Sequence, residues 1–256
     1  ALPPELSIAY SQLKQSLLQV PHIPSGSLGT LVEKTCSSMS DKTYLYRAYQ
    51  NTIGKKQFDF VASTSDEAAV RAAIDQMSFF KECSMALKSL GAVGFPILDK
   101  SAIELLVALY NKQLVGPLEQ TLIAVGTTAY CAIVSDLGLA SSAVITRDLD
   151  LAVNQSLTFV HNQGFSEVIK EAMPHFFTVP GMPSRTPSTS LKAPGAGAMK
   201  IDLLFPGAQL GTVIPVNALR WHAQSIPYLD YLTEQTQVAL ALGTTKAVPV
   251  RTPTPI

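Results

Sequence analysis

A chain of 256 residues, 47% of them hydrophobic, can bury a sizeable core as one large domain or two small ones, and this excludes a disordered protein. Its 19 Lys and Arg balance its 19 Asp and Glu, which excludes a protein that coats nucleic acid through an overall basic field, though not a small RNA-binding patch. No apolar run reaches the length of a membrane span and no basic-then-apolar leader opens the chain, so a cytoplasmic protein is expected.

Leu6, Tyr10, Leu13 and Leu17 recur at helical spacing and predict an amphipathic helix over residues 5–20. Pro21–Gly29 breaks it. Lys42–Asn51 and Lys55–Ala62 alternate around Thr52-Ile53-Gly54, a β-hairpin pattern. Lys55-Lys56 at its turn reads as a solvated tip that can also meet an acidic substrate. An Ala-rich helix follows over about 66–90. Ser101 with Glu104 three residues on reads as a capping box opening a helix to Lys112. Leu122–Val125 reads as a buried strand, Gly126-Thr127 as a junction, and Thr128–Leu137 as a helix. Phe165–Ala172 is a further helix. Val179–Ala198, loaded with Pro, Gly, Ser and Thr, predicts an exposed mobile loop with no packed element. Arg185 and Lys192 within it read first as ordinary surface cations, and alternatively as grips for a triphosphate. Tyr228–Leu242 reads as a helix and Lys246–Arg251 as a short strand.

Two segments carry chemistry. Thr146-Arg147-Asp148-Leu149-Asp150-Leu151 and Lys200-Ile201-Asp202-Leu203 place three acids inside apolar runs. An ionised carboxylate there costs several kcal/mol unless it is paired, on the order of magnitude set by ion burial. Neither acidic run is read as holding a basic residue that pairs with its acids, so a divalent metal is expected. Alternation puts Asp148 and Asp150 on one face of a strand, about 7 Å apart, spaced to bracket one or two hard cations. Asp202 is a lone acid on a second strand, and the three converge if the strands are neighbours. Gly126 lets backbone approach a ligand, and the helix start after it offers free N–H groups to a phosphate, with a hydroxyl from Thr127 or Thr128. Arg147 points to the face opposite the acids.

The remaining reactive residues read as structural. His22, His161, His175 and His222 lack metal-site pairings, and Trp221 with Tyr228 and Tyr231 reads as core in preference to a base-stacking platform. Cys36, Cys83 and Cys131 lack metal spacing and fit a reducing compartment, with Cys131 a buried free thiol.

Val125-Gly126-Thr127, Asp148-Leu149-Asp150 and Ile201-Asp202-Leu203 together resemble the three-part pattern of the nucleotidyltransferase superfamily of the DNA-polymerase-β type. More closely, Gly126-Thr127-Thr128-Ala129, Tyr44-Leu45-Tyr46, Ile201-Asp202-Leu203-Leu204 and Pro227-Tyr228-Leu229-Asp230-Tyr231-Leu232 resemble a bacterial group of nucleotidyltransferase-fold proteins, the GSU2403-like group. Thr127 departs from the Gly or Ser of the superfamily, and twenty residues (128–147) separate it from Asp148. The closer group is similar at both points.

The resemblance implies an α/β (α+β) fold: a nucleotidyltransferase-type mixed sheet flanked by helices. Residues 1–112 would form an N-terminal helical and hairpin region and 113–256 the catalytic core. A further helical region is expected beyond Ile256. The resemblance also implies transfer of an NMP from an NTP such as ATP, with release of pyrophosphate. Asp148, Asp150 and Asp202 would be catalytic and hold Mg²⁺ (or Mn²⁺). Gly126, Thr127, Thr128, Arg185 and Lys192 would bind the nucleotide. The acceptor is left open among tRNA or other RNA, protein and small molecules, with a toxin role and an antitoxin partner among the options. The alternative is an NTP–Mg²⁺ sensor or scaffold without turnover.

Overall fold

The computed structural model describes residues 3–36, 42–141, 147–153, 157, 163–183 and 185–255; Thr146 and His161 lie outside them. Helix α1 (Pro4–Leu18) starts on a proline, which suits a first helical turn, and buries Tyr10, Leu13 and Leu17. Strands β1 (Thr30–Cys36), β2 (Lys42–Gln50) and β3 (Lys56–Ser63) form an antiparallel sheet in that order. The expected hairpin is β2–β3. Strand β1 is an addition, because Thr-Leu-Val-Glu-Lys-Thr-Cys has too few apolar residues to show a period.

Helix α2 (Glu67–Ala92) is capped by Asp66, whose carboxylate accepts from the Ala69 N–H at 3.0 Å. Helix α3 (Lys100–Asn111) is capped by Asp99, which accepts from the Ala102 N–H at 2.8 Å. The capping box of Ser101 and Glu104 is therefore corrected. Glu104 is drawn into the interior by Lys246 and by the Gly26 N–H.

The rest of the chain builds one mixed sheet. Its elements are β4 (Ile123–Ala124), α4 (Gly126–Asp136), β5 (Asp148–Ala152), α5 (Phe165–Ala172), β6 (Phe177–Thr178), β7 (Ser190–Lys192), β8 (Lys200–Pro206), β9 (Val213–Val216), β10 (Trp221–Ile226), α6 (Leu229–Thr233), β11 (Thr236–Leu242) and β12 (Ala247–Pro253). The strand order is β11-β12-β4-β5-β8-β10-β9, and β7 pairs with both β6 and β8. Strand β8 is parallel to β5 and β10, and β4 is parallel to β12; the other ladders are antiparallel. The expected mixed sheet flanked by helices is present. Its main core unites Tyr10, Leu13 and Leu17 of α1 with α3, α5 and one face of β5 and β8. Cys83 and Cys131 are buried free thiols. Among the described residues no helix is long and apolar enough to cross a membrane.

Three further expectations are corrected. Tyr228–Leu242 is a short helix followed by a strand, β11, which pairs with β12 from Thr236↔Pro253 to Leu242↔Ala247. Its Val-Ala-Leu-Ala-Leu run contains good helix formers. A strand buried on both faces also lacks the alternation that would mark it. Tyr228 and Tyr231 are not core: they are 83% and 65% exposed.

Val179–Ala198 is not wholly a loop, because β7 lies within it with Ser190 and Leu191 buried. Three residues suffice because β6 and β8 supply ladder partners on both sides. Trypsin should therefore cut after Arg185, exposed on the turn between β6 and β7, and spare Lys192, whose backbone is paired to Phe177 and Lys200. Limited proteolysis read by mass spectrometry checks this; equal cleavage at both sites contradicts the strand.

Candidate active site

Strands β5 and β8 run side by side in the register Asp148↔Lys200, Leu149↔Ile201, Asp150↔Asp202 and Leu151↔Leu203. Residues paired across a ladder share a face, and neighbours along a strand alternate. Leu149, Leu151, Ile201 and Leu203 therefore turn into the main core, each at 0% exposure. Asp148, Asp150, Lys200 and Asp202 stand together on the other face. Strand β7 adds to it, since Ser190 is opposite Asp202 and Lys192 is opposite Lys200. Farther along, this face becomes apolar: Ile123, Val125 and Ala152 pack with Leu229 of α6. A cavity of about 450 Å³ opens there, lined by Ile123, Val153, Pro206, Tyr231 and Glu234.

Gly126 faces the same cluster. It begins α4 with φ +60°, a left-handed conformation that favours glycine, and a Cβ there would lie 2.7 Å from Asp150 Oδ2. The bare backbone is what lets the helix start approach that carboxylate. The N-cap, Val125, has no side-chain oxygen to give, so no side-chain cap serves the first-turn N–H groups of Gly126, Thr127 and Thr128. Thr127 is half-buried. The side chain of Thr128 is 1% exposed, and its hydroxyl has no partner among the described residues. Thr128 can offer a ligand its backbone N–H, while its hydroxyl is turned inward.

Burial, followed by the nearby carboxylates of Asp202 and Asp148, pushes the Asp150 carboxyl up to about 6, against a smaller opposing pull from Lys200. Asp202 is 9% exposed. Its Oδ2 pairs with Lys200 Nζ at 2.8 Å, and its Oδ1 accepts a hydrogen bond from Ser190 Oγ. The expectation that the acids lack a basic partner is thus corrected. Lys200 sits two residues before Asp202, and that spacing alone places it on the same face. Ser190 gave no such signal, because its position depends on β7 joining the sheet.

The donor set suits a hard divalent cation, which prefers carboxylate oxygens. The Asp150 carboxyl is raised by burial first and by the Asp202 and Asp148 carboxylates next, with Lys200 opposing, and Gly126 places bare backbone beside it. As they stand, however, no three carboxylate, imidazole or thiol groups among the described residues are arranged to hold one ion. Lys200 is paired to Asp202 Oδ2 on the same face. The residues fit a metal by the chemistry of their donors.

Other predicted residues divide clearly. Lys192 is brought to the acid face. Arg185 stays on an exposed turn. Arg147 is exposed, its guanidinium lying against Gly197.

A family profile described as nucleotidyltransferase matches residues 104–256, from α3 to the last residue. No curated protein and no solved structure matches the chain. The matched span holds both acid-bearing strands and the Gly126 turn. The chain belongs to this nucleotidyltransferase family and is an enzyme, a transferase of phosphorus-containing groups.

Proposed function

We propose that the protein is a metal-dependent nucleotidyltransferase of the bacterial group it resembles, using the acid face of β5 and β8. The observation that carries this is the placement of Asp150 directly opposite Asp202, with Gly126 against Asp150, inside a span that matches nucleotidyltransferases. Residues 113–256 are the catalytic unit, and 1–112 form an accessory region packed on it.

Asp148, Asp150 and Asp202 would hold Mg²⁺ or Mn²⁺. Such an ion neutralises phosphate charge and stabilises attacking and leaving oxygens. The N–H groups of Gly126, Thr127 and Thr128 hold the β- and γ-phosphates at the start of α4. Lys192, on the acid face, adds a positive charge for the triphosphate, and Arg185 reaches it only if its turn folds over. Asp202, freed from Lys200, takes the proton of the acceptor hydroxyl. The acceptor oxygen bonds to the α-phosphorus, the α–β phosphoanhydride bond breaks, and pyrophosphate leaves. The acceptor is a hydroxyl on RNA, protein or a small molecule; a protein acceptor would fit a toxin held by an antitoxin.

A second reading, an NTP–Mg²⁺ sensor or scaffold without turnover, is favoured by one observation: Lys200 holds Asp202 in an ion pair. Incubation with α-labelled NTPs, Mg²⁺ and cell lysate, fractionated into RNA and protein, separates the two. Label in a macromolecule together with released pyrophosphate supports transfer. Stoichiometric retention of intact NTP supports the sensor and overturns transfer.

A further inference from the structure

The three-stranded N-terminal sheet has two unlike faces. Asp59 lies on the inner face, where its carboxylate is held by Arg47 at 3.2 Å and by the Tyr49 hydroxyl at 3.2 Å. Leu45 and Ala62 are buried on that side. The register places a different set on the outer face. Lys34 is opposite Tyr44, Val32 and Phe60 flank Tyr46, and Phe58 is opposite Ala48. Lys42 and Lys56 belong to the same face by alternation. Phe60 is 61% exposed and Phe58 is 41% exposed.

The aromatic rings form a group. Phe60 meets Tyr44 and Tyr46 edge to face, with centroids 6.0 and 5.9 Å apart. Positive charge is built into it: Lys34 Nζ lies 3.1 Å from the Phe58 centroid and 5.3 Å from that of Tyr46, and Lys56 Nζ lies 5.1 Å from Phe58. Among the described residues of the three strands, no carboxylate shares this face. In a chain whose net charge is zero, that is a segregation of charge. A cavity of about 550 Å³ opens beside Phe58, lined also by Thr30, Val32, Glu33, Lys34 and Lys56; the Glu33 carboxylate belongs to the opposite face by register. That volume is ordinary for a small-molecule or nucleoside pocket.

We infer that this outer face binds single-stranded RNA. Rings on a sheet take stacked, unpaired bases, and lysines beside them take the phosphates between those bases. Duplex would hide its bases from the rings. Thr30, Gln50 and the tyrosine hydroxyls on the same face offer partners to a ribose 2′-hydroxyl, which favours RNA over DNA. The β2–β3 turn meets the other half of the chain where Thr52 Oγ1 donates to the Ala172 carbonyl oxygen at the end of α5, at 2.8 Å. Binding of RNA at this face does not depend on the proposed function above.

The test uses the whole 256-residue chain and a short, labelled, mixed-sequence oligoribonucleotide, with binding read by fluorescence anisotropy. Phe60→Ala, on an exposed side chain, should fold normally by circular dichroism and weaken binding on the order of tenfold. Phe58→Ala with Phe60→Ala should weaken it further. Three lysines predict a slope of log affinity against log salt of about −2, and Lys34→Ala with Lys56→Ala should flatten it. Asp150→Asn should bind the oligonucleotide as the wild type does, so binding at this face is read separately from transfer. Wild-type binding no tighter than that of the double phenylalanine variant overturns the proposal. So does equal affinity for duplex, or a wild-type dimer that Phe60→Ala converts to monomer, which would make the face a contact between copies. Equal affinity for single-stranded DNA overturns the assignment to RNA.

Discussion

Asp150→Asn is expected to reduce metal-dependent nucleotidyl transfer by more than about 100-fold, and Asp148→Asn to do the same, while both variants stay folded. Each substitution removes an anionic oxygen from the face proposed to hold the cation and leaves the strand's core side untouched. Leu149 and Leu151, which anchor β5, point the other way. The same variants have a second readout. The Asp150 carboxyl is raised from its ordinary value to about 6, by burial first and by Asp202 and Asp148 next. Between about pH 4 and about pH 6 the folded state therefore binds more protons than the unfolded chain. Stability contributed by this group is present below that window and is lost as pH rises through it. Asparagine carries no such penalty. Without metal, Asp150→Asn should melt at a higher temperature than the wild type above pH 7, and the advantage should vanish near pH 4. Thermal melts across this range check the sign, and radiolabel transfer checks the activity. Full activity in either variant removes the acid face from the chemistry.

Lys246→Met is expected to destabilise the protein by about 3–5 kcal/mol, the range for stranding one charge of a buried pair. Lys246 Nζ and Glu104 Oε1 lie 2.6 Å apart at 2% and 5% side-chain exposure, and Glu104 Oε2 also accepts from the Gly26 N–H at 2.9 Å. Burial lowers the Lys246 pKa, and Glu104 opposes that shift. The methionine would leave Glu104 as an uncompensated interior carboxylate, linking α3 to the segment around Gly26 but no longer to the β11–β12 turn. For a chain of this size, about 1 kcal/mol moves Tm by roughly 2–4 °C, so a drop on the order of 10 °C should appear in a melt at pH 7. Lys246→Met combined with Glu104→Leu should recover much of the loss, since no charge then remains buried. A single variant that melts with the wild type would show the pair to be hydrated in solution.

Glu104 also shows where sequence reasoning is blind. Three residues after Ser101 it has the spacing of a capping box, and nothing local reveals that a lysine 142 positions later takes its carboxylate. Strand β11 is similar. Ala239–Leu242 are buried on both faces, so the period that separates strand from helix is erased. Strand β7 is three residues in a Pro- and Ser-rich stretch, held only by partners supplied from β6 and β8. In contrast, the β2–β3 hairpin, α5 and the strands bearing the acids were legible, because each has one apolar and one polar side and writes that difference into alternate or helically spaced residues.

The sequence by itself determined which side of each acid-bearing strand the carboxylates occupy, since alternation follows from strand geometry alone. It also determined that backbone must come close at Gly126, because the residue opening a helix straight from a strand end has no side chain to spare. Only the tertiary structure decided what meets across the strands. The parallel β5–β8 register sets Asp150 against Asp202, the antiparallel pairing of β7 with β8 brings Ser190 onto the Asp202 carboxylate, and the packing of α4 buries the Thr128 hydroxyl. It likewise decided that Phe58 and Phe60 stay in water beside Lys34. Register and burial arise from contacts between segments far apart in the chain, and no local pattern encodes those.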